Sequence, residues 1–132
     1  MATIPDQYHD LFESATYAHV TTMLPDGRPH TTPVWIDYDA DDDQLLVNTE
    51  RERRKTKNVA RDPTVSVSMT DPDDPYRFLS VTGVVDEVTT AGAREHIDDL
   101  AERYMGVSEY PESIESERVL LRIRAEDVFT GG

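Results

Sequence analysis

Residues 45–63 read LLVNTERERRKTKNVARDP. Both lysines of the chain, Lys55 and Lys57, lie here, beside Arg51, Arg53 and Arg54. Residues 51–57 hold five bases against one acid, Glu52, a local charge of +4; the other 8 bases and 26 acids carry −18, for a net charge of −14. Leu45, Leu46 and Val47 form an apolar run of strand length. Thr49 followed by Glu52 makes a capping box, which predicts a helix beginning at Thr49. Asp62 should end it, because a residue before proline is driven out of the α region. On such a helix Arg51/Lys55 and Arg53/Lys57 are like-charge i,i+4 pairs, each costing about 0.2–0.5 kcal/mol. A strand turning tightly into a helix N-terminus is also a natural anion site, since free N–H groups and the helix dipole converge there. The segment reads two ways: an anion cradle closed by Lys55 and its neighbouring arginines, or a solvated basic face paired with acids elsewhere. The confinement of lysine to this one segment favours the cradle.

Outward from this segment the chain alternates with period two. Upstream, residues 16–24 place Ala18, Val20, Thr22 and Leu24 on one side. Pro25-Asp26-Gly27 is a turn signature, and residues 30–38 return as the second arm of a hairpin. Pro33 inside that arm removes a ladder donor, which implies an edge, a bulge or a docking place. Residues 39–43 make a polar turn into the 45–47 strand. Nearer the N-terminus, Thr3 and Asp6 can cap a first helix, with Pro5 in its first turn, whose Ile4, Tyr8, Leu11 and Phe12 form one apolar face. It reads as a lid on a sheet. Downstream, residues 64–69 align Val65, Val67 and Met69; residues 71–75 form a stiff acidic loop; residues 76–88 form a long strand with a bend or bulge at Gly83. Thr90 can cap a helix carrying Ala93, Ile97, Leu100, Ala101 and Tyr104, ended by Gly106. Residues 108–117 are an acidic, structure-poor loop, and residues 118–128 a last strand. About six antiparallel strands with three helices at the connections predict a closed or nearly closed barrel.

Composition sets the outer limits. A chain of 132 residues is one domain with room for a core. Hydrophobic residues make up 37% and charged residues 30%. The acid excess and scarcity of lysine have the character of a halophile's surface, the kind a haloarchaeal protein carries. A charge of −14 excludes general nucleic-acid binding by electrostatic repulsion. No apolar run approaches the roughly 20 residues of a membrane span, and residues 1–10 show no secretory signal, so a cytoplasmic location is expected. Without cysteine there is no disulfide, thiolate metal site or Cys nucleophile. His9, His19, His30 and His96 lack metal-ligand spacing, although His19 and His30 are placed to face each other across the first hairpin. GxSxG, P-loop and GxGxxG motifs are absent. Trp35, the only tryptophan, has core filling as its ordinary role.

Three segments in this order, PDGRPHTTPVWIDYD (25–39), LLVNTERERRKTKNVARDP (45–63) and DPDDPYRFLSVTGVVDEV (71–88), resemble the split-barrel flavin and deazaflavin oxidoreductases related to pyridoxamine 5′-phosphate oxidase. Within that family the chain is most similar to the branch using the deazaflavin F420. The resemblance runs from residue 15 to the final strand. It implies an α+β, mainly β fold, a six-stranded antiparallel FMN-binding split barrel over residues 1–132, paired as a homodimer with cofactor sites at the subunit interface. By the same resemblance, Thr32, Pro33, Val34 and Trp35 lie along the tricyclic ring, and Asn48 and Thr49 near the ribityl chain. Lys55 and Asn58 stand beside the phosphate, with Arg51 as a neighbouring arginine. Tyr76 and Arg77, in the 73–78 segment, reach the other subunit's site. Glu52 and Arg54 depart from the family, which often has small residues there.

What the resemblance implies is hydride transfer between F420 and a conjugated small molecule, with FMN-dependent oxidase or reductase activity as the alternative. The reactive chemistry would reside in the cofactor, which accounts for the missing triad and acid–base pair. Two further readings stay open: a flavin-binding carrier without turnover, and an acidic structural dimer whose basic helix pairs with its own acids.

Overall fold

The computed structural model describes residues 2–132. Its strands are β1 (Tyr17–Met23), β2 (Pro29–Trp35), β3 (Asp37–Asp39), β4 (Gln44–Glu50), β5 (Thr64–Asp71), β6 (Asp74–Thr89) and β7 (Arg118–Gly131). Its helices are α1 (Asp10–Glu13), α2 (Arg54–Arg61) and α3 (Ala93–Met105). The strands form one antiparallel sheet ordered β2-β1-β5-β6-β7-β4-β3, curled into the expected split barrel.

The seventh strand has a local cause. The arm expected over residues 30–38 breaks at Ile36, so β2 and β3 become the two opposite edges of the sheet although one residue separates them. Ile36 is fully buried, and its N–H donates to Tyr104 Oη at 3.1 Å. The same hydroxyl donates to the Thr16 carbonyl at 2.5 Å. One α3 side chain thus satisfies backbone groups at the split, where no ladder can.

Period-two alternation predicts the inner face correctly. Ala18, Val20 and Thr22, then Val65, Val67 and Met69, are all buried, while Leu24, expected on the same side, lies past the end of β1 and is only half-buried. All but Thr22 meet Leu45, Val47, Leu79, Val81, Leu121 and Ile123 in one core with Ile4, Tyr8, Leu11 and Phe12. That N-terminal segment is a 3-10 turn (Asp6–Tyr8) followed by α1, without side-chain caps from Thr3 or Asp6, rather than one helix. Pro33 does sit on an edge strand. The expected 71–75 loop is a two-residue turn, with Asp71 paired to Asp74. His19 and His30 are not cross-strand partners: His19 stands opposite Pro33 and His30 opposite Thr22, because the hairpin closes between Leu24 and Arg28. Thr90 does not cap α3; Gly92 does, at φ +72°, a left-handed conformation that costs threonine energy.

Gly83 marks a register shift between β6 and β7. A Cβ there would lie 2.1 Å from the Arg124 carbonyl oxygen, inside the ladder. Gly83→Ala is expected to cost about 1–3 kcal/mol as an overpacked site, read as a lower urea midpoint with activity of the surviving folded fraction unchanged.

Candidate functional site

The basic segment is built differently from its capping signature. Thr49 and Glu50 belong to β4, paired with Val119 and Arg118 in an unbroken ladder from Gln44↔Arg124 onward. The continuous ladder outcompetes the capping box, and α2 starts at Arg54 with Arg53 as its uncapped N-cap. Thr56 Oγ1 donates to the Glu50 carbonyl at 2.7 Å, tying the turn back onto the strand. Asp62 ends α2 as expected. The anticipated like-charge pairs dissolve: Arg51 lies outside the helix and pairs with Glu117 at 2.8 Å, while Lys57 pairs with Glu52 at 3.2 Å.

A cleft of about 180 Å³ opens where the β2 edge approaches β4, under α3 and the 106–117 loop. Pro33, Val34, Trp35, Asn48, Thr49, Arg53, Lys55, Ile97, Tyr110 and Arg118 line it. One wall is aromatic. Trp35 stacks on Tyr104 with centroids 5.1 Å apart at 13°, and Tyr110 meets Trp35 edge-on at 6.0 Å. Trp35 is therefore half-buried at the cleft rather than a core filler.

Another part of the lining is cationic, with Arg118 lying over the Tyr110 ring. Arg53, Lys55 and Arg118 bring three positive charges to a space with one nearby carboxylate, Glu50. Glu50 is already committed. Its Oε1 accepts from the N–H groups of Glu115 (3.0 Å) and Ser116 (2.7 Å) and from the Ser116 hydroxyl (3.1 Å). Its Oε2 lies 3.5 Å from Arg118 and 3.9 Å from Arg53. Burial opposes its ionisation, but the Ser116 and Glu115 donors and Arg118 outweigh that and hold its carboxyl below the ordinary value. Lys55 has no acid among the described residues to balance it. Burial first, then Arg53 and Arg118, pull its ammonium below the usual lysine range. Such a group gains by accepting an anion.

Six of the sequence-derived candidates thus meet at the cleft: Pro33, Val34, Trp35, Asn48, Thr49 and Lys55. Five lie elsewhere. Thr32 sits opposite Val20 with its Oγ1 buried and without a partner. Asn58 is 0% exposed and its Nδ2 donates to Thr22 Oγ1 at 3.0 Å, so it anchors α2 to β1. Arg51 faces Glu117. Tyr76 is 82% exposed. Arg77 clamps the N-terminal segment, bonded to Asp10 (2.7 Å), Asp71 (2.9 Å) and the Gln7 carbonyl, with its guanidinium over the Tyr8 ring.

Arg53 is one of the arginines expected beside Lys55, whereas Ile97, Tyr110 and Arg118 join the site without such a signal in the basic run. For Arg118 the signal was subtle: one charge opening the apolar run RVLL, to be matched with the one acid closing LLVNTE. Tyr110 comes from a loop whose path no periodicity encodes.

Comparison with known proteins agrees with this geometry. The sequence profile of pyridoxamine 5′-phosphate oxidase matches residues 4–131. An F420 reductase superposes with a TM-score of 0.83 at 30% identity, over 96% of this chain and 98% of its own. A conserved hypothetical protein from Mycobacterium tuberculosis follows with 0.73 at 25% identity, over 99% and 86%. HupZ of Group A Streptococcus shares the fold, with 0.69 at 18% identity, over 97% and 94%. No curated protein matches the chain by sequence. A match over nearly the whole length, on a split barrel of the same topology, means that this chain belongs to the pyridoxamine 5′-phosphate oxidase family.

Proposed function

We propose that this chain is an oxidoreductase that binds the deazaflavin F420 in the cleft between β2 and β4 and passes a hydride between it and a conjugated small molecule. The observation that carries this reading is the cationic lining of Arg53, Lys55 and Arg118, three charges against the one carboxylate of Glu50, beside an aromatic wall. A phosphate-bearing tricyclic cofactor has the matching halves: an anion for the cations and a flat ring for the Trp35 side. The likeness at 30% identity to an F420 reductase favours F420 over FMN. The cofactor supplies hydride chemistry when bound. The protein's part is position and charge. Lys55 and the two arginines would hold the anion through charge-assisted hydrogen bonds. Pro33, Val34 and Ile97 supply the apolar part of the cleft lining.

A cleft of about 180 Å³ is smaller than the roughly 300–1,000 Å³ of small-molecule sites. A second copy would complete it, with the exposed Tyr76 segment reaching across, so the working unit is a homodimer. The acid-rich surface fits a protein that works in molar salt in the cytoplasm, where screening relieves its self-repulsion.

Titration of the purified protein with F420 and with FMN tests the reading. F420 should quench and saturate at micromolar concentration or tighter, with FMN weaker, and light scattering should give about twice the 15.0 kDa chain mass. Preference for FMN would transfer the site to flavin chemistry. F420 binding without turnover of any enone or tetrapyrrole offered would mark a carrier.

A further inference from the structure

Asn48 is held by partners of fixed polarity. Its Nδ2 donates to the Ala93 carbonyl at 2.8 Å, and its Oδ1 accepts from Arg118 Nε at 2.9 Å. A carbonyl oxygen only accepts and a guanidinium only donates, so the amide has one possible orientation. The remaining N–H of that amide meets His96 Nδ1 at 3.1 Å. Nδ1 must then be the acceptor. On the other side of the ring, His96 Nε2 lies 2.9 Å from Asp37 Oδ2. A carboxylate accepts, so the proton sits on Nε2. Asp37 is kept in its ionised form: burial opposes this, but hydrogen bonds from His96 and the Tyr38 N–H, with Arg103, outweigh it. The polarity of every link from Asp37 through His96 and Asn48 to Arg118 is thereby determined.

We propose that His96 is a positioning residue for the cleft: as the neutral Nε2–H tautomer it fixes the Asn48 amide, and through it keeps the Arg118 guanidinium turned to the anion. The proposal rests on the anion-binding reading of the cleft. His96 touches no cleft space itself; it acts from α3, behind Asn48. Arg118 has two other supports, Glu50 Oε2 at 3.5 Å and the Tyr110 ring at 5.2 Å, so losing His96 shifts Arg118 without freeing it. A proton added to Nδ1 would point at the Asn48 N–H. Rotating the amide to relieve that clash would set its NH₂ against Arg118 and abandon Ala93.

The test uses the whole chain and sulfate. Long-range proton–nitrogen spectra of labelled protein near pH 8, with His96 assigned by its loss in His96→Gln, should show the Nε2–H tautomer; the Nδ1–H tautomer overturns the proposal. Calorimetric titration near pH 8 should show His96→Leu binding sulfate about threefold to tenfold more weakly than wild type, the size of one neutral hydrogen bond. His96→Asn, whose Oδ1 takes the place of Nδ1 and accepts from Asn48, should keep the tighter binding. A His96→Leu protein that binds sulfate like wild type, while Lys55→Ala does not, removes the positioning role alone. Sulfate binding indifferent to Lys55→Ala overturns the anion reading and this proposal with it.

Discussion

Lys55→Ala is expected to weaken F420 binding by about tenfold to more than a hundredfold while leaving the fold intact. The affinity loss follows from one charge-assisted hydrogen bond, roughly 1.5–3 kcal/mol. The stability half follows from what Lys55 lacks. Its neighbours Arg53 and Arg118 repel it, burial penalises its charge, and no described acid balances it. Removing it from the unliganded protein should therefore leave the melting temperature level or slightly higher. Arg54→Ala is the control, since Arg54 is exposed and absent from the cleft lining. If the basic segment were only a surface paired with its own acids, Lys55→Ala would lower the melting temperature and leave affinity unchanged. Calorimetry with F420 and FMN plus melting curves of both variants separates the two. The linkage adds a pH signature. Lys55 has a depressed pKa in the unliganded protein, and a bound anion raises it, so binding takes up a proton where the two states differ. Affinity should fall as pH rises through that window, which begins below the ordinary lysine value of 10.5. Lys55→Ala should abolish this fall.

What the sequence made legible was periodic or punctuated. Alternation in residues 16–24 and 64–69 identified the buried faces, Gly83 the bulge, Gly106 the end of α3, and Asp62-Pro63 the end of α2. These features depend on local sterics or on one side of a strand meeting a core. The misplaced features depend on pairing with distant segments. The Thr49 capping box lost to the ladder with residues 118–124, which spans seven register positions. The arm at 30–38 became two strands because Tyr104, far along the chain, supplies the hydrogen bonds that let Ile36 leave the ladder. The site divided along the same line. Lys55 announced itself by composition and Pro33 by interrupting a strand, whereas Trp35, with core filling as its ordinary role, entered only through the family resemblance. Arg118 and Tyr110 became site residues only when β7 was laid against β4. Arg77 has the opposite history: its motif is conspicuous in sequence, yet its guanidinium is consumed by Asp10 and Asp71 within its own chain.

Glu50→Ala is expected to be the most destabilising single change at the site, by about 3–5 kcal/mol, because it removes one partner of a buried ion pair. Glu50 is 3% exposed and Arg118 8%. Without the carboxylate, Arg118 would stay buried beside Arg53 and Lys55, three cations with nothing between them. The Ser116 and Glu115 N–H groups would also lose their acceptor, and the loop bearing Tyr110 its anchor. Against a typical total of about 5–15 kcal/mol, that is a large share. Glu50→Gln separates charge from hydrogen bonding, since its amide oxygen still accepts from Ser116 and Glu115. Its cost should be smaller near neutral pH, and its pH dependence carries the proof. The folded-state pKa of Glu50 is depressed, so its charge contributes stability in full above the ordinary carboxylate value and loses it as pH falls through the folded value. The gap in urea midpoint between wild type and Glu50→Gln should therefore be widest near neutrality and close below about pH 4. A gap that stays constant with pH would mean that the lost shape, rather than the lost charge, sets the cost. Saturating sulfate should rescue Glu50→Ala more than wild type, because an anion in the cleft restores the negative charge that the three cations were built around.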